Sequence, residues 1–254
     1  MNVFITGANS GIGMALAREY ARRGATLGLL ARRGEALEAL AAELGGGAHR
    51  VYAVDVRDRA ALHAAAADFI ATAGCPDIVI ANAGISVGNL TSEMDDFEDT
   101  RAVFEINVLG LIASFEPFIG PMRHMGGGQL VGIASVAGVR GLPGAGAYSA
   151  SKAAVATYCE SLRNEVRRDK IYVTTLSPGY IRTPLTAGNP YRMPFLLDPD
   201  VFARRAAVAI ERRVRSTVIP WQMGVVAWFL RRVPDRLFDL FAENGPRKPR
   251  RVER

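Results

Sequence analysis

Apolar positions fall along this chain in two alternating rhythms. Continuous apolar runs recur at residues 2–6, 25–31, 49–54, 77–81, 129–134, 171–177 and 216–219. Runs this short, bounded by turn residues, read as strands buried on both faces. Between them apolar residues return every three or four positions, at 12–23, 35–44, 58–72, 94–125, 149–167 and 198–213. That is the period of an amphipathic helix. Strands alternating with helices predict an α/β fold. The expectation is a single-domain, Rossmann-like, doubly wound parallel sheet of about seven strands over residues 1–245, with helices on both faces.

Punctuation refines the pattern. Gly45, Gly46 and Gly47 are expected to end the helix over 35–44, glycine being the usual residue beyond a helix C-terminus. Pro117 and Pro121 predict a kink or break within 94–125, since proline removes a helical N–H. Residues 184–199 hold four prolines. A loop of that length is uncommon unless functional, so 184–215 is read as a substrate flap region. Two further apolar helices, set among arginines, are expected over 221–242.

Parallel sheets bind ligands beyond the carboxyl ends of their strands, and polar segments cluster there. After the first strand comes Thr6-Gly7-Ala8-Asn9-Ser10-Gly11-Ile12-Gly13, leading into a helix. Glycines let a backbone approach a ligand closely, and a helix N-terminus offers N–H groups to a pyrophosphate. A strand, this turn and a helix together point to a dinucleotide, with Gly7, Asn9, Ser10, Gly11, Ile12 and Gly13 around it. The second strand ends in Arg32-Arg33 where an acid would bond a ribose 2′-hydroxyl. Arginine grips phosphate instead, so NADP(H) is the cofactor expected. Asp55-Val56, Asn82-Ala83-Gly84 and Pro178-Gly179-Tyr180-Ile181-Arg182-Thr183 occupy the later strand ends.

Tyr148 and Lys152 stand four apart on one expected helix face. An ammonium beside a phenol favours the phenolate and lowers its pKa. Such a phenol can exchange a proton with a carbonyl or alcohol oxygen. Ser135 precedes Tyr148 by one loop, and Asn107 lies among apolar residues where a buried amide needs partners.

Composition narrows the class. The 254 residues are 49% hydrophobic and 22% charged, sufficient for one core and an ordinary surface. Cys75 and Cys159 are isolated, which fits a reducing, cytoplasmic compartment. His49, His63 and His124 have no ligand spacing, so no metal is expected. The strand at 2–6 leaves no room for a secretory leader, and no uninterrupted apolar run reaches the roughly 18–20 residues of a membrane span. Of the net charge of +6, residues 246–254 contribute five Lys/Arg and one Glu. This basic tail is expected to be disordered and is poor evidence for nucleic acid.

Taken together, the glycine turn, Asn82-Ala83-Gly84, Asn107, Ser135, Tyr148-x-x-x-Lys152 and Pro178-Gly179 resemble a classical short-chain dehydrogenase/reductase in order and spacing. The likeness is close over about 1–183; the remainder resembles only the family's variable substrate region. The chain departs from many members in reading Ala81-Asn82 before Ala83-Gly84 and in having Ser10 where some NADP users carry a base.

The resemblance implies roles. Tyr148 would be the proton donor or acceptor. Lys152 would lower its pKa and hold the nicotinamide ribose. Ser135 would bond the substrate oxygen, Asn107 would help hold a relay water, and Thr183 would meet the nicotinamide carboxamide. It also implies a homodimer or homotetramer through the helices carrying Asn107 and Tyr148.

The function expected is reduction of a ketone or aldehyde, or the reverse, on an apolar small-molecule substrate, a bulky one if the C-terminal helices wall the site. The alternative is a non-catalytic dinucleotide-binding sensor or scaffold. For the large apolar residues after 221, burial within the chain is ranked first, a subunit contact second and a membrane surface third.

Overall fold

Strands sandwiched between two helical layers must be apolar on both faces, and this dictates the arrangement. In the computed structural model, which describes residues 1–45, 49–243 and 247–250, the first strand shows the rule. It is β1 (Asn2–Thr6). Val3 and Ile5 enter one core with Leu16, Leu37 and Phe202, while Phe4 enters the other with Phe69, Phe115 and Val155. Alternate strand residues point to opposite faces. Burying each such side chain stabilises the fold by roughly 1.5–3 kcal/mol.

The elements follow the predicted alternation: α1 (Gly11–Arg22), β2 (Thr26–Ala31), α2 (Gly34–Glu43), β3 (Arg50–Ala53), α3 (Arg59–Ala73) and β4 (Ile78–Ala81) come first. Then come α4 (Phe97–Phe104), a π-helical turn (Glu105–Leu109), α5 (Gly110–His124), β5 (Gly128–Ile133) and α6 (Gly146–Glu165). The chain continues through β6 (Ile171–Pro178), α7 (Pro184–Ala187), α8 (Pro199–Glu211), β7 (Ser216–Ile219), α9 (Trp221–Arg232) and α10 (Asp235–Glu243). The seven strands form one sheet in the order β3-β2-β1-β4-β5-β6-β7, and every pairing is parallel. The order reverses direction between β1 and β4, and the crevice above such a switch point is where open α/β sheets bind ligands.

Gly45 follows α2 with a φ of +101°; Gly46 and Gly47 lie outside the described residues. Helix α5 runs unbroken through Pro117 and Pro121. The irregularity expected at the prolines falls instead at the π turn, about three to four turns earlier, around Asn107. π turns often mark functional sites, and this one is set by tertiary partners described below. The Met94–His124 stretch is long and apolar enough by composition to cross a membrane. Here it lies on the sheet, with Phe115, Phe118 and Met122 fully buried.

The C-terminal third departs most from expectation. Helix α8 is core, with Phe202, Ala206 and Ile210 fully buried, so within 184–215 it is the stretch before Pro199 that borders the cleft. Met223 and Ala227 of α9 are buried. Trp221, Trp228, Phe229, Leu237, Leu240 and Phe241 are exposed, and α10 buries none of its residues. Burial within the chain, ranked first from sequence, therefore fails for these side chains. A nine-residue helix attached at the margin of the sheet has no second layer to cover its apolar face. Part of the basic tail, in contrast, packs. Lys248 is buried, Arg250 pairs with Asp96, and Gly88 and Arg250 form a parallel bridge. Disorder is thus the wrong expectation for 247–250; residues 246 and 251–254 lie outside the described residues.

Candidate active site

The strand-end segments meet over the switch point around a cleft of about 520 Å³. Its floor begins at the glycine turn. Gly7 has a φ of +67° and Gly11 of +54°, both in the left-handed region that favours glycine. A Cβ on Gly13 would lie 2.2 Å from the Gly7 carbonyl oxygen, so only glycine lets α1 pack this close to the turn. Gly13 itself does not line the cleft; it permits the turn that Gly7, Asn9, Ser10, Gly11 and Ile12 present there.

Ser10 stands before α1 without a side-chain cap, and the first turn carries no acid. The amides of that turn therefore remain available to an anion. From β4, the Asn82 and Ala83 amides donate to Thr6 Oγ1 at 3.1 and 3.2 Å. Asn82 Nδ2 donates to the carbonyls of Thr6 and Gly7 at 3.0 and 3.2 Å. Asn82 is thus a clamp on the glycine turn as well as part of the cleft lining.

Arg32 and Arg33 lie at one end of the cleft, exposed and engaged in no ion pair among the described residues. Asp55 and Val56 line the same end. Asp55 is held by Arg57 through its side chain at 2.8 Å and its backbone amide at 3.0 Å. The Arg57 guanidinium holds the Asp55 carboxyl below its usual range, and Arg32 adds to this. Its negative charge is therefore largely spent on Arg57. The backbone turn at the head of α1 and the two arginines fit a dinucleotide carrying a further phosphate.

On the other side, Ser135 lies two residues beyond the end of β5, and α6 begins just before Tyr148. Both residues line the cleft with Lys152. Lys152 is buried, its Nζ 2.7 Å from the Ile133 carbonyl and 5.9 Å from the centroid of the Tyr148 ring. Burial lowers its pKa to about 8. Burial also pushes the Tyr148 phenol above its ordinary value, and a hydrogen bond from Ser135 pulls it part of the way back. This corrects the expectation that the ammonium would lower the phenol. Desolvation is the larger cause here, and Lys152 is not among the groups that shift the phenol. The pair as it stands holds the phenol protonated.

Asn107 is 1% exposed and does not line the cleft. Its Oδ1 accepts from the Ile85 amide at 2.8 Å, and its Nδ2 donates to the Ile85 carbonyl and to Ser151 Oγ, each at 3.0 Å. Ser151 Oγ in turn donates to the Tyr148 carbonyl at 2.8 Å. Asn107 therefore ties the segment following β4 to the first turn of α6. The π turn is what points its amide at Ile85, and no local pattern encodes that. Gly84, Ala83, Pro178, Gly179, Ile181 and Thr183 all line the cleft as expected. Tyr191 of the flap region and Met223 and Leu230 of the apolar helices also line it; not anticipated were Ser86, Arg140 and Lys248. They come from loops and from the C-terminal third, where no short spacing announces a shared site.

The chain matches the family model for short chain dehydrogenases over residues 1–192. It belongs to the short-chain dehydrogenase family. An uncharacterised oxidoreductase of Myxococcus xanthus is 36% identical over 240 residues, covering 94% of both chains. An alcohol dehydrogenase from Thermococcus sibiricus, solved with 5-hydroxy-NADP, superposes with a TM-score of 0.77 at 27% identity, over 86% of this chain and 95% of that one. A 3-ketoacyl-(acyl-carrier-protein) reductase from Brucella melitensis, solved with NADH, gives 0.78 at 27% identity, over 86% and 96%. This short-chain dehydrogenase is an oxidoreductase whose solved relatives bind nicotinamide dinucleotides of both kinds.

Proposed function

We propose that this short-chain dehydrogenase is an NADP(H)-dependent oxidoreductase that interconverts a ketone or aldehyde and an alcohol. The observation that carries the reading is one cleft with Ser135, Tyr148 and Lys152 on its wall and Arg32 and Arg33 at its end. The nicotinamide, when bound, would supply or accept the hydride. The protein's own groups do the rest. Negative charge builds on the carbonyl oxygen during reduction, and the Ser135 and Tyr148 hydroxyls are donors placed to meet it. Tyr148, held protonated by burial, gives up its proton as the alcohol forms. Lys152 keeps a cationic charge close by at neutral pH, being half protonated only near pH 8. Asn107 positions the head of α6 from behind. Gly7, Ser10 and Gly11 would hold the pyrophosphate, Arg32 and Arg33 the 2′-phosphate, and Thr183 the nicotinamide edge.

Met223, Val226, Ala227 and Leu230 line the cleft from α9 and favour an apolar substrate body. Short-chain dehydrogenases are usually oligomeric, and a homodimer or homotetramer through α4, α5 and α6 is supported by exposed Phe104 and Leu109. A reducing, cytoplasmic setting is supported by two free thiols. The Cys159 thiol, pushed up to about 11 by burial, belongs to the core rather than to the chemistry.

The test is NADPH and NADH oxidation against ketones, aldehydes, quinones and 3-oxoacyl thioesters, with the alcohols run in reverse. Turnover with NADPH ahead of NADH is expected. Tight dinucleotide binding with no turnover across the panel would favour the sensor reading.

A further inference from the structure

The outward side of the C-terminal helices is apolar, and both tryptophans of the chain stand on it. From Trp221 to Leu230 no side chain is charged. Met223, Val226, Ala227 and Leu230 turn one face of α9 to the cleft. Trp221, Val225, Trp228 and Phe229 recur at the spacing of the opposite face, and all are exposed. The Trp228 and Phe229 rings meet edge to face at 4.9 Å and form one surface.

Helix α10 repeats the arrangement. Arg140 holds its inner side: the guanidinium donates to the Leu230 and Val233 carbonyls at 3.0 and 2.6 Å, pairs with Asp235, and lies 4.1 Å from the centre of the Phe238 ring. Phe238 and Ala242 border a depression with Leu142 and Pro143. Leu237, Leu240 and Phe241, spaced by one turn, face away from it and are exposed. A contiguous exposed apolar surface of this kind marks contact with a protein partner or with lipid.

The placement of charge separates the two. Arg231, Arg232 and Arg236 lie at the corner between the helices, where the apolar faces meet. Arg232 stacks over Trp228 at 3.9 Å. The acids run along the other side of α10: Asp235 is joined to Arg140, and Asp239 and Glu243, four and eight residues on, border the depression. Apolar rings with a cationic margin suit an anionic lipid surface, where tryptophan sits at headgroup level and arginine reaches the phosphates. A two-fold contact between copies, centred on this corner, would instead set arginines against arginines.

We propose that the outward face of α9 and α10 docks the protein on an anionic phospholipid bilayer. Because the inner face of α9 walls the cleft, docking sets the cleft about one helix diameter, ~10 Å, from the lipid. The inference is independent of the proposed reaction.

Trp221 and Trp228 are the chain's own probes, since it has no other tryptophan. The full-length protein is titrated with vesicles of phosphatidylcholine alone, and of phosphatidylcholine with phosphatidylserine in equal parts. Tryptophan emission and co-sedimentation are read. The anionic vesicles should shift emission to the blue and bind about a hundredfold more tightly than the neutral ones, on the order of fivefold for each arginine. The preference should fade as salt is raised. Phosphatidylcholine brominated in its acyl chains, mixed into the anionic vesicles, should quench the emission. Trp228→Ser with Phe229→Ser should weaken binding at least about tenfold. Absent binding, equal binding to the two compositions, or binding without quenching, all read on the wild-type protein, overturns the proposal and needs no variant. So does a Trp228→Ser, Phe229→Ser protein that melts as the wild type does and binds as tightly. A wild-type protein that ignores lipid, and sediments as a dimer that the same substitutions dissociate, overturns it in favour of a second copy.

Discussion

At the glycine-turn end of the cleft, neighbouring elements hold one another through the backbone. Thr6 Oγ1 takes two amides from the end of β4, and Asn82 reaches back to two carbonyls of the turn. At the flap end the contacts are sparser and the surface is different. Leu185 and Phe195 are exposed, α10 buries nothing, and the closing segment is pinned chiefly by the Arg250–Asp96 pair. The contrast has a chemical reason. A pyrophosphate is the same in every dinucleotide and rewards a rigid cradle of N–H groups. A substrate pocket is built from side chains and loops, which tolerate change because few backbone bonds depend on them.

The sharpest break in that comparison comes at the reacting centre. Tyr148→Phe keeps the ring and removes the proton. Turnover should fall by about a hundred- to ten-thousand-fold, with the dissociation constant for NADPH within about twofold of wild type. Turnover within about tenfold of wild type, measured on a good substrate, would take the chemistry away from Tyr148.

Next in size is the buried ammonium. The Lys152 pKa is about 8 in the folded chain against an ordinary 10.5. Below pH 8 both folded and unfolded forms are charged, and between the two values the unfolded chain binds more protons. Stability from this group is therefore lowest below about pH 8 and rises through that window, by up to about 3 kcal/mol. Thermal melts of wild type and Lys152→Met should show the variant's advantage shrinking from pH 7.5 to pH 10. A constant difference would mean that the lysine is not desolvated.

The arginine end is tested by Arg32→Ala with Arg33→Ala. NADPH affinity should fall about ten- to a hundredfold, the range of a charge-assisted bond, while NADH affinity holds. Equal losses for both cofactors, by fluorescence titration, would make the arginines general cleft residues.

The two regions are then compared directly by stability. Gly13→Ala drives a methyl into the Gly7 carbonyl and should cost about 1–3 kcal/mol in chemical unfolding, as overpacking does. Leu240→Ser with Phe241→Ser, on the exposed face of α10, should stay within about 0.5 kcal/mol. A larger loss in the serine pair, or one that appears only at high protein concentration, would show that this face is covered in solution.

What the sequence determined by itself is the part built from local signals. Seven apolar runs alternating with helical periods specify a parallel sheet, because each strand must be apolar on both faces. The glycine turn and the Tyr148/Lys152 spacing are legible for the same reason, since a backbone conformation and a helix face are set within a few residues. Tertiary structure decided what depends on distant partners. The π turn at Asn107 exists because Ile85, twenty-two positions away, offers both an amide and a carbonyl. The direction of the Tyr148 shift follows from burial, which no spacing reveals. Lys248 reads in sequence as one charge in a solvated tail; it enters the cleft because Asp96, 154 residues before Arg250, holds the segment in place. Charge patterns are written along the chain, but the cost of desolvating a charge, and the partner that offsets it, are properties of the packed molecule.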